Sequence, residues 1–330
     1  MKNVFVTGGA GYIGSHTVDL LNKSGFNVTV FDNLVYGHQE SIVGTRLIKG
    51  DLLNYSEIYG ALKDGRYDAV IHFAAYASVG ESVKDPYKYF QNNVYGTLNL
   101  LKSMVECGVL NLVFSSTCAI FGTPKTLPLS EELEKHPESP YGESKLMVEN
   151  ILSWYDQIYN LRSVALRYFN ACGSSLDGSI GEDVRPPIRI IPNIMDAVLG
   201  KKTYFTLNGT DFPTPDGTCI RDYVHVLDLA DAHLLALDYL KRENKTDQFN
   251  LGSERGSSNR EIIRMVKKVT GCDFKVVEGP KRAGDPVALY ADSSKAKRLL
   301  KWTPKHSDLK TIVETSWLWS RSHPYGYSPE

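Results

Sequence analysis

The sequence predicts an α/β protein, a doubly wound parallel sheet joined to a smaller mixed α/β domain. Three observations carry that prediction. Short β-branched runs alternate with helical ones through the first half of the chain, a pattern that implies parallel βαβ units. A glycine-rich turn, "GGAGYIG", sits between the first strand and the first helix. Asp32 closes the second strand, 18 residues past Gly14.

The elements follow in order. "VFVT" reads as a strand, 12–24 as a helix and "NVTVFD" as the second strand; a helix near 55–63 leads to the strand "DAVIHFAA". A helix near 86–106 precedes "NLVFSS", an apolar strand that runs into Ser115, Ser116 and Thr117. "LMVENILSWYDQ" places Leu146, Met147, Ile151, Trp154 and Tyr155 near a 3.6-residue period, so it reads as an amphipathic helix that Pro140 helps to start. "RSVALRYFN" is the strand after it.

Beyond about residue 173 the texture changes to the Gly- and Pro-bearing "CGSSLDGSIGEDVRPP", a helix near 190–200 and the loop-rich "LNGTDFPTPDGT". "RDYVHVLDLADAHLLALDYL" is a short strand running into a long helix that returns to the first sheet. The expected domains are therefore 1–173, with return of 219–242, and 174–330.

Composition narrows the function. At 330 residues, 42% hydrophobic and 23% charged, the chain can bury a sizeable core. A net charge of −1 with interspersed signs gives no footprint for nucleic acid or an acidic membrane, which favours a small-molecule role. Five widely spaced cysteines form no Cys-x-x-Cys, and the histidines form no metal-spaced pair; His16 reads as an ordinary helix residue. "MKNVFVTGG" passes straight into a strand, without a secretory segment, and no apolar run reaches the ~18 residues of a membrane span. The reading is a cytoplasmic protein without a metal.

Three motifs carry chemistry. In "VFVTGGAGYIGSH", Gly9-x-Gly11-x-x-Gly14 overlaps Gly8-x-x-Gly11-x-x-Gly14; the glycines permit a tight strand-to-helix turn and let a pyrophosphate approach the positive helix N-terminus. Asp32 can accept from a ribose 2′-hydroxyl, and with no arginine directly after it the fingerprint of this Rossmann unit favours NAD over NADP. In "SPYGESK", Tyr141 and Lys145 stand four apart on one helix face, where an ammonium would favour a phenolate. Ser115 to Thr117 end a strand on the side where doubly wound sheets gather ligands, which completes a hydroxyl, phenol and ammonium set.

Together with "DNLVYG", "GDL", "HFAAYASVGES", "NNVYGTLNLL", "FSSTCAIFG", "LRYFNACG", "DGTCIRDYVHVLDLADAH", "FNLGS", "GDP" and "HPYGY", these stretches are similar, almost end to end, to the UDP-sugar 4-epimerases of the extended short-chain dehydrogenase/reductase family. The resemblance implies reversible 4-epimerisation of a UDP-hexose (glucose/galactose) through a transient 4-keto sugar with tightly bound NAD. It makes Tyr141 the acid/base on the 4-hydroxyl. Lys145 would hold the nicotinamide ribose and depress the tyrosine pKa, and Thr117 would bond the reacting oxygen. For NAD it implies Gly8, Gly11, Tyr12, Ile13, Gly14, Asp32 and Asn33, with Asp51 and Leu52 at the adenine. Phe73, Ala74, Ala75 and Ala77 would follow the pyrophosphate and ribose, with Asn92, Ser115, Tyr168 and Phe169 completing the set. Asn170, Arg221, Arg282 and Asp285 fall at contacts to the UDP half, and Ile190, Thr206, Asn208 and Leu289 at further substrate positions.

Two positions depart from the family pattern: Asn208 stands where many relatives have an aromatic near uracil, and Arg189 replaces a more usual His or Asn. Leu289 occupies a site where a tyrosine excludes an N-acetyl group, so UDP-N-acetylglucosamine is an alternative substrate, as are UDP-arabinose and UDP-xylose. A 4,6-dehydratase would need an Asp-Glu pair where Cys118 and Ala119 follow Thr117. A non-enzymatic sensor would have no need of the Thr-Tyr-Lys set. The family also implies a homodimer formed through the helices near 90–104 and 145–157.

Overall fold

A computed structural model describes residues 1–281 and 285–327. Its centre is a seven-stranded, wholly parallel sheet. The first six strands are β1 (Asn3–Thr7), β2 (Asn27–Asp32), β3 (Arg46–Lys49), β4 (Ala69–His72), β5 (Asn111–Thr117) and β6 (Arg162–Tyr168). They lie in the order β3-β2-β1-β4-β5-β6. Helices cover both faces, so Val4, Phe5, Val6, Val70 and Ile71 are all buried and these strands read as continuous apolar runs. The order reverses between β1 and β4, and the crevice there opens at the carboxyl ends of the strands.

The helices of this half are α1 (Tyr12–Lys23), α2 (Tyr55–Lys63), α3 (Val79–Ser82), α4 (Pro86–Tyr89), α5 (Gly96–Glu106) and α6 (Pro140–Tyr159). The helix expected near 86–106 is interrupted: a π turn at Phe90–Tyr95 separates α4 from α5. The wider turn gives Asn93 room to bond the backbone of Tyr76 at both N–H and C=O, and the Ser144 hydroxyl. α3 and the edge strand β3 were not anticipated; "RLIK" is only half-buried and alternates too little to announce a strand.

After β6 come β7 (Asn170–Cys172), α7 (Ile190–Val198), β8 (Phe205–Asn208), β9 (Ile220–His225) and α8 (Val226–Glu243). They are followed by β10 (Asp247–Leu251), β11 (Gly256–Ser258), α9 (Asn259–Thr270), β12 (Val276–Gly279), β13 (Ala288–Leu289) and α10 (Leu309–Ser322). β9 is the hub of a separate small sheet, paired with β7, β11 and β13, while β8 and β12 pair with each other. The return over 219–242 thus divides. α8 packs on α1 against the main sheet, β9 stays in the small one, and the seventh main-sheet strand is β10, paired with β6 beyond residue 242. β10 begins with Asp247 and Gln248, polar residues that read as loop; Asp247 is buried only because Lys295 Nζ and the Tyr239 hydroxyl reach it at 2.6 and 2.8 Å.

Two sets of polar contacts tie the halves. The loop after β2 is fastened by His38: its N–H donates to Ala10 O at 3.0 Å, its Nε2 lies 3.0 Å from Asp183 O, and its ring packs on Tyr327. Tyr327 N–H donates to the Asp183 carboxylate at 3.0 Å. Nearby, the Tyr12 hydroxyl donates to Gly173 O at 2.6 Å, and the two ring nitrogens of His16 lie 2.8 Å from Tyr12 O and 3.1 Å from Ile180 O.

Three further histidines are buried as neutral rings, each with one ring nitrogen accepting. His72 Nδ1 accepts from Thr7 Oγ1 at 2.6 Å, because Nε2 faces Thr97 Oγ1, whose own proton goes to Asn93 O. His233 Nδ1 donates to Leu229 O, so Nε2 accepts from the Tyr168 hydroxyl. His225 Nδ1 accepts the Leu227 N–H at 3.1 Å. Burial holds their pKa values at about 3, about 4 and about 3, below the 6.5 of an unfolded histidine. The unfolded chain therefore binds more protons in that window, and stability is intact above about pH 6.5 and is lost as pH falls. At about 1.4 kcal/mol per unit and per group, three such sites consume an ordinary folding margin by roughly pH 4 to 5. We expect a cooperative acid transition there in far-UV circular dichroism; a native spectrum at about pH 3.5 would refute it.

Candidate active site

The turn from β1 to α1 is shaped by steric need. Gly8 has φ +70°, and a Cβ on it would lie 2.4 Å from Ala74 N; one on Gly14 would lie 2.3 Å from Gly8 O. These glycines let β1, β4 and α1 close on one another. Gly11 differs: a Cβ there would meet only Gly8 O, at 3.4 Å, and α1 starts at Gly11 with no side-chain cap. Its first-turn residues Tyr12, Ile13 and Gly14 therefore border an open cavity, a cradle suited to a pyrophosphate.

That cavity measures about 1550 Å³, more than one drug-sized ligand fills. At one end lies Asp32, whose carboxylate accepts from Ala10 N and Leu34 N at 3.0 and 2.9 Å. Burial raises its pKa and those two amides oppose the rise. Asn33 and Leu52 share this wall. Asp51 stands behind it, accepting from Asn33 Nδ2 at 3.0 Å and from Leu53 N at 2.8 Å, so it orients Asn33 rather than facing the cavity. Phe73, Ala74, Ala75 and Ala77, after β4, continue the lining with Asn92 from the π turn.

In the middle, the end of β5 meets α6. Tyr141, Lys145, Ser115 and Thr117 all border the cavity, as do Tyr168 and Phe169 at the end of β6. Lys145 is 3% exposed; its ammonium donates to Ser115 O at 2.8 Å and lies over the Phe114 ring. Desolvation brings its pKa to about 7, against the opposing pull of Glu149.

The expected depression of the Tyr141 pKa by Lys145 is not what the structure shows. Burial pushes the phenol up, and the groups that draw it down are the Thr117 hydroxyl and the Arg189 guanidinium. The Lys145 Nζ is instead turned to the Ser115 carbonyl, and desolvation lowers its own pKa. The three hydroxyl-bearing residues of β5 also separate: Ser116 Oγ donates to Glu149 Oε1 at 2.5 Å, away from any shared role with Thr117.

At the far end lie Asn170, Ile190, Thr206, Asn208, Arg221, Asp285 and Leu289. Asn170 Nδ2 is held by Asp222 O at 3.0 Å. Arg221 donates to Ile220 O and Pro286 O at 2.9 and 2.8 Å, and its other terminal nitrogen is 3.6 Å from Asp285. It does not pair with Asp222, because adjacent strand residues face opposite ways. Asp222 instead accepts from Ser253, Glu254 and Ala291. Arg282 lies outside the described residues.

Residues that sequence reasoning missed include Glu182, buried against Arg189 in an ion pair that also approaches the Tyr12 ring. Its only signal was an acid in the glycine-bearing "GSIGED" stretch. Among the described residues no cluster of His, Cys, Asp and Glu could hold a metal ion, and no helix is long and apolar enough to cross a membrane.

Comparison with known proteins places this geometry. The model of the "NAD dependent epimerase/dehydratase family" matches residues 4–252. The UDP-glucose 4-epimerase of Lacticaseibacillus casei is 48% identical over 325 residues, 98% of each chain. The crystal structure of UDP-glucose 4-epimerase from Brucella ovis in complex with NAD superposes with a TM-score of 0.94 at 45% identity, covering 96% of this chain and 98% of that one. That of UDP-glucose 4-epimerase from Bifidobacterium longum with NAD+ and UDP gives 0.93 at 36% identity, covering 99% and 100%.

Proposed function

Because the chain belongs to the NAD dependent epimerase/dehydratase family, we propose that it interconverts UDP-glucose and UDP-galactose by oxidation and re-reduction at carbon 4. The observation that carries this reading is one cavity that joins the Gly11 cradle, the buried Thr117 and Lys145 with Tyr141 beside them, and the anchored Arg221. When bound, NAD supplies the hydride acceptor and donor and a delocalised positive charge.

The chain's own residues hold and move protons. Tyr141 takes the proton of the 4-hydroxyl and later returns it, Thr117 bonds the reacting oxygen, and Lys145 holds the nicotinamide ribose. Gly8, Gly11 and Gly14 with Tyr12 and Ile13 shape the pyrophosphate seat, and Asp32 and Asn33 take the adenosine ribose. Arg221, fixed by two carbonyls, presents its free face to a diphosphate, and Asp285 steadies it. Arg282 carries the same family role in the undescribed segment. A firm grip on the nucleotide with a looser hold on the sugar would let a 4-keto sugar turn and accept hydride on its other face.

Incubating purified protein with UDP-galactose and no added NAD tests the proposal. UDP-glucose formation is expected, whereas protein that retains NAD yet converts nothing would sink it. Leu289 lies on the cavity wall, where a leucine is smaller than a tyrosine. We therefore expect turnover of UDP-N-acetylglucosamine, with Leu289→Tyr lowering it by about 10- to 100-fold relative to UDP-glucose; equal loss on both substrates would refute a size gate.

A cytoplasmic location and a homodimer complete the reading. The exposed Trp154 and Ile158 of α6 and Tyr95 beside α5 support the second. Sedimentation at monomer mass would count against it.

A further inference from the structure

Three consecutive residues of β5 grip three successive turns of α6. Thr117 faces Tyr141, Ser115 O takes the Lys145 ammonium, and Ser116 Oγ bonds Glu149. The first two contacts belong to the proposed chemistry. The third is built as firmly and has no part in it.

Glu149 lies one turn beyond Lys145 on the same face. Its side chain is only 11% exposed, and Arg167 of β6, 3% exposed, binds it through both guanidinium edges, Nε to Oε1 at 3.0 Å and Nη2 to Oε2 at 2.7 Å. A buried pair of this kind is costly to desolvate and weak as a source of stability. Its geometry ties the helix that bears Tyr141 and Lys145 to two adjacent strands, β5 through Ser116 and β6 through Arg167.

Resting on the functional reading above, we propose that Glu149 is a positioning residue: locked by Ser116 and Arg167, its carboxylate fixes the turn of α6 that presents Tyr141 and Lys145 and places a negative charge one turn beyond the Lys145 ammonium. Glu149 is the group that opposes the desolvation of Lys145. Among the described residues no second anion acts on Lys145, while Lys135 and Arg167 are the cations that face Glu149. β4 presents neutral His72, β6 presents Arg167 and Tyr168, α4 presents Tyr89 against Tyr141, and Tyr141 is itself a neutral phenol.

The test uses the full-length protein with its retained NAD. Glu149→Gln keeps the shape and removes the charge. Ammonium is lost as pH rises, so a lower Lys145 pKa moves the alkaline limb of the kcat profile toward acid, by roughly one pH unit. NAD retained per chain after gel filtration, read by absorbance across the same pH range, is expected to shift in parallel. Ser116→Ala keeps the charge and removes the strand contact; it is expected to lower kcat about tenfold with KM unchanged and the alkaline limb in place.

A folded, NAD-bearing Glu149→Gln whose limb and retention curve superpose on wild type overturns the proposal. Should that variant not fold, Ser116→Ala decides, and wild-type kcat there overturns it. Wild type without epimerase activity would defeat the functional reading instead, and the retention curves would still judge Glu149.

Discussion

Tyr141→Phe is expected to lower kcat by about 10²- to 10⁴-fold, the range for losing a positioned acid/base. The change deletes one oxygen and no ring packing, so Tyr89, at 6.4 Å from the Tyr141 ring, keeps its neighbour. Burial raises the Tyr141 pKa in the protein alone, which means the phenol is stored protonated, and Thr117 and Arg189 are its standing counterweights. Substrate binding should survive, because the anchored Arg221 is on β9, remote in sequence from α6. The check is the rate of UDP-galactose conversion alongside NAD content and melting temperature. A variant with a tenth or more of wild-type kcat would remove Tyr141 from its proposed role.

Gly8→Ala is expected to cost about 3 to 5 kcal/mol of stability, the size reserved for a named steric or strain fault. Two faults coincide there. At φ +70° an L side chain is strained, and its Cβ would fall 2.4 Å from Ala74 N and 2.7 Å from Ala74 Cα, backbone atoms that cannot rotate away. β1 and β4 would have to part at the crevice itself. Gly11→Ala separates folding from binding, since its Cβ meets protein only at 3.4 Å, with φ −78°. We expect Gly11→Ala to keep the urea midpoint and lose NAD, and Gly8→Ala to lose both. Equal midpoints for Gly8→Ala and wild type would overturn the steric account.

Local rules made much of this molecule legible. The parallel sheet, α1, α2 and α6 follow from strand-helix alternation, and the Gly11 turn with Asp32 follows from the spacing that any βαβ dinucleotide cradle needs. What escaped depended on distant partners. Asn33 is held by Asp51, 18 positions away, a contact that no local period shows. β10 is hidden because Lys295, 48 positions away, makes Asp247 tolerable in a strand. The π turn at Phe90–Tyr95 follows from no propensity, since it is fixed by Asn93 reaching the Tyr76 backbone. Arg221 pairs with a loop acid, Asp285, that no helix or strand period could align with it.

The fastening of His38 to Asp183 and Tyr327 bears on how long a cofactor stays. It draws together the loop after β2, the stretch after β7 and the last described residues, beside the Gly11 turn. A dinucleotide seated at that turn would lie beside contacts drawn from three separate parts of the chain. Slow dissociation is the expected outcome, read as NAD retained through gel filtration. A protein that keeps its dinucleotide in this way would draw none from its surroundings.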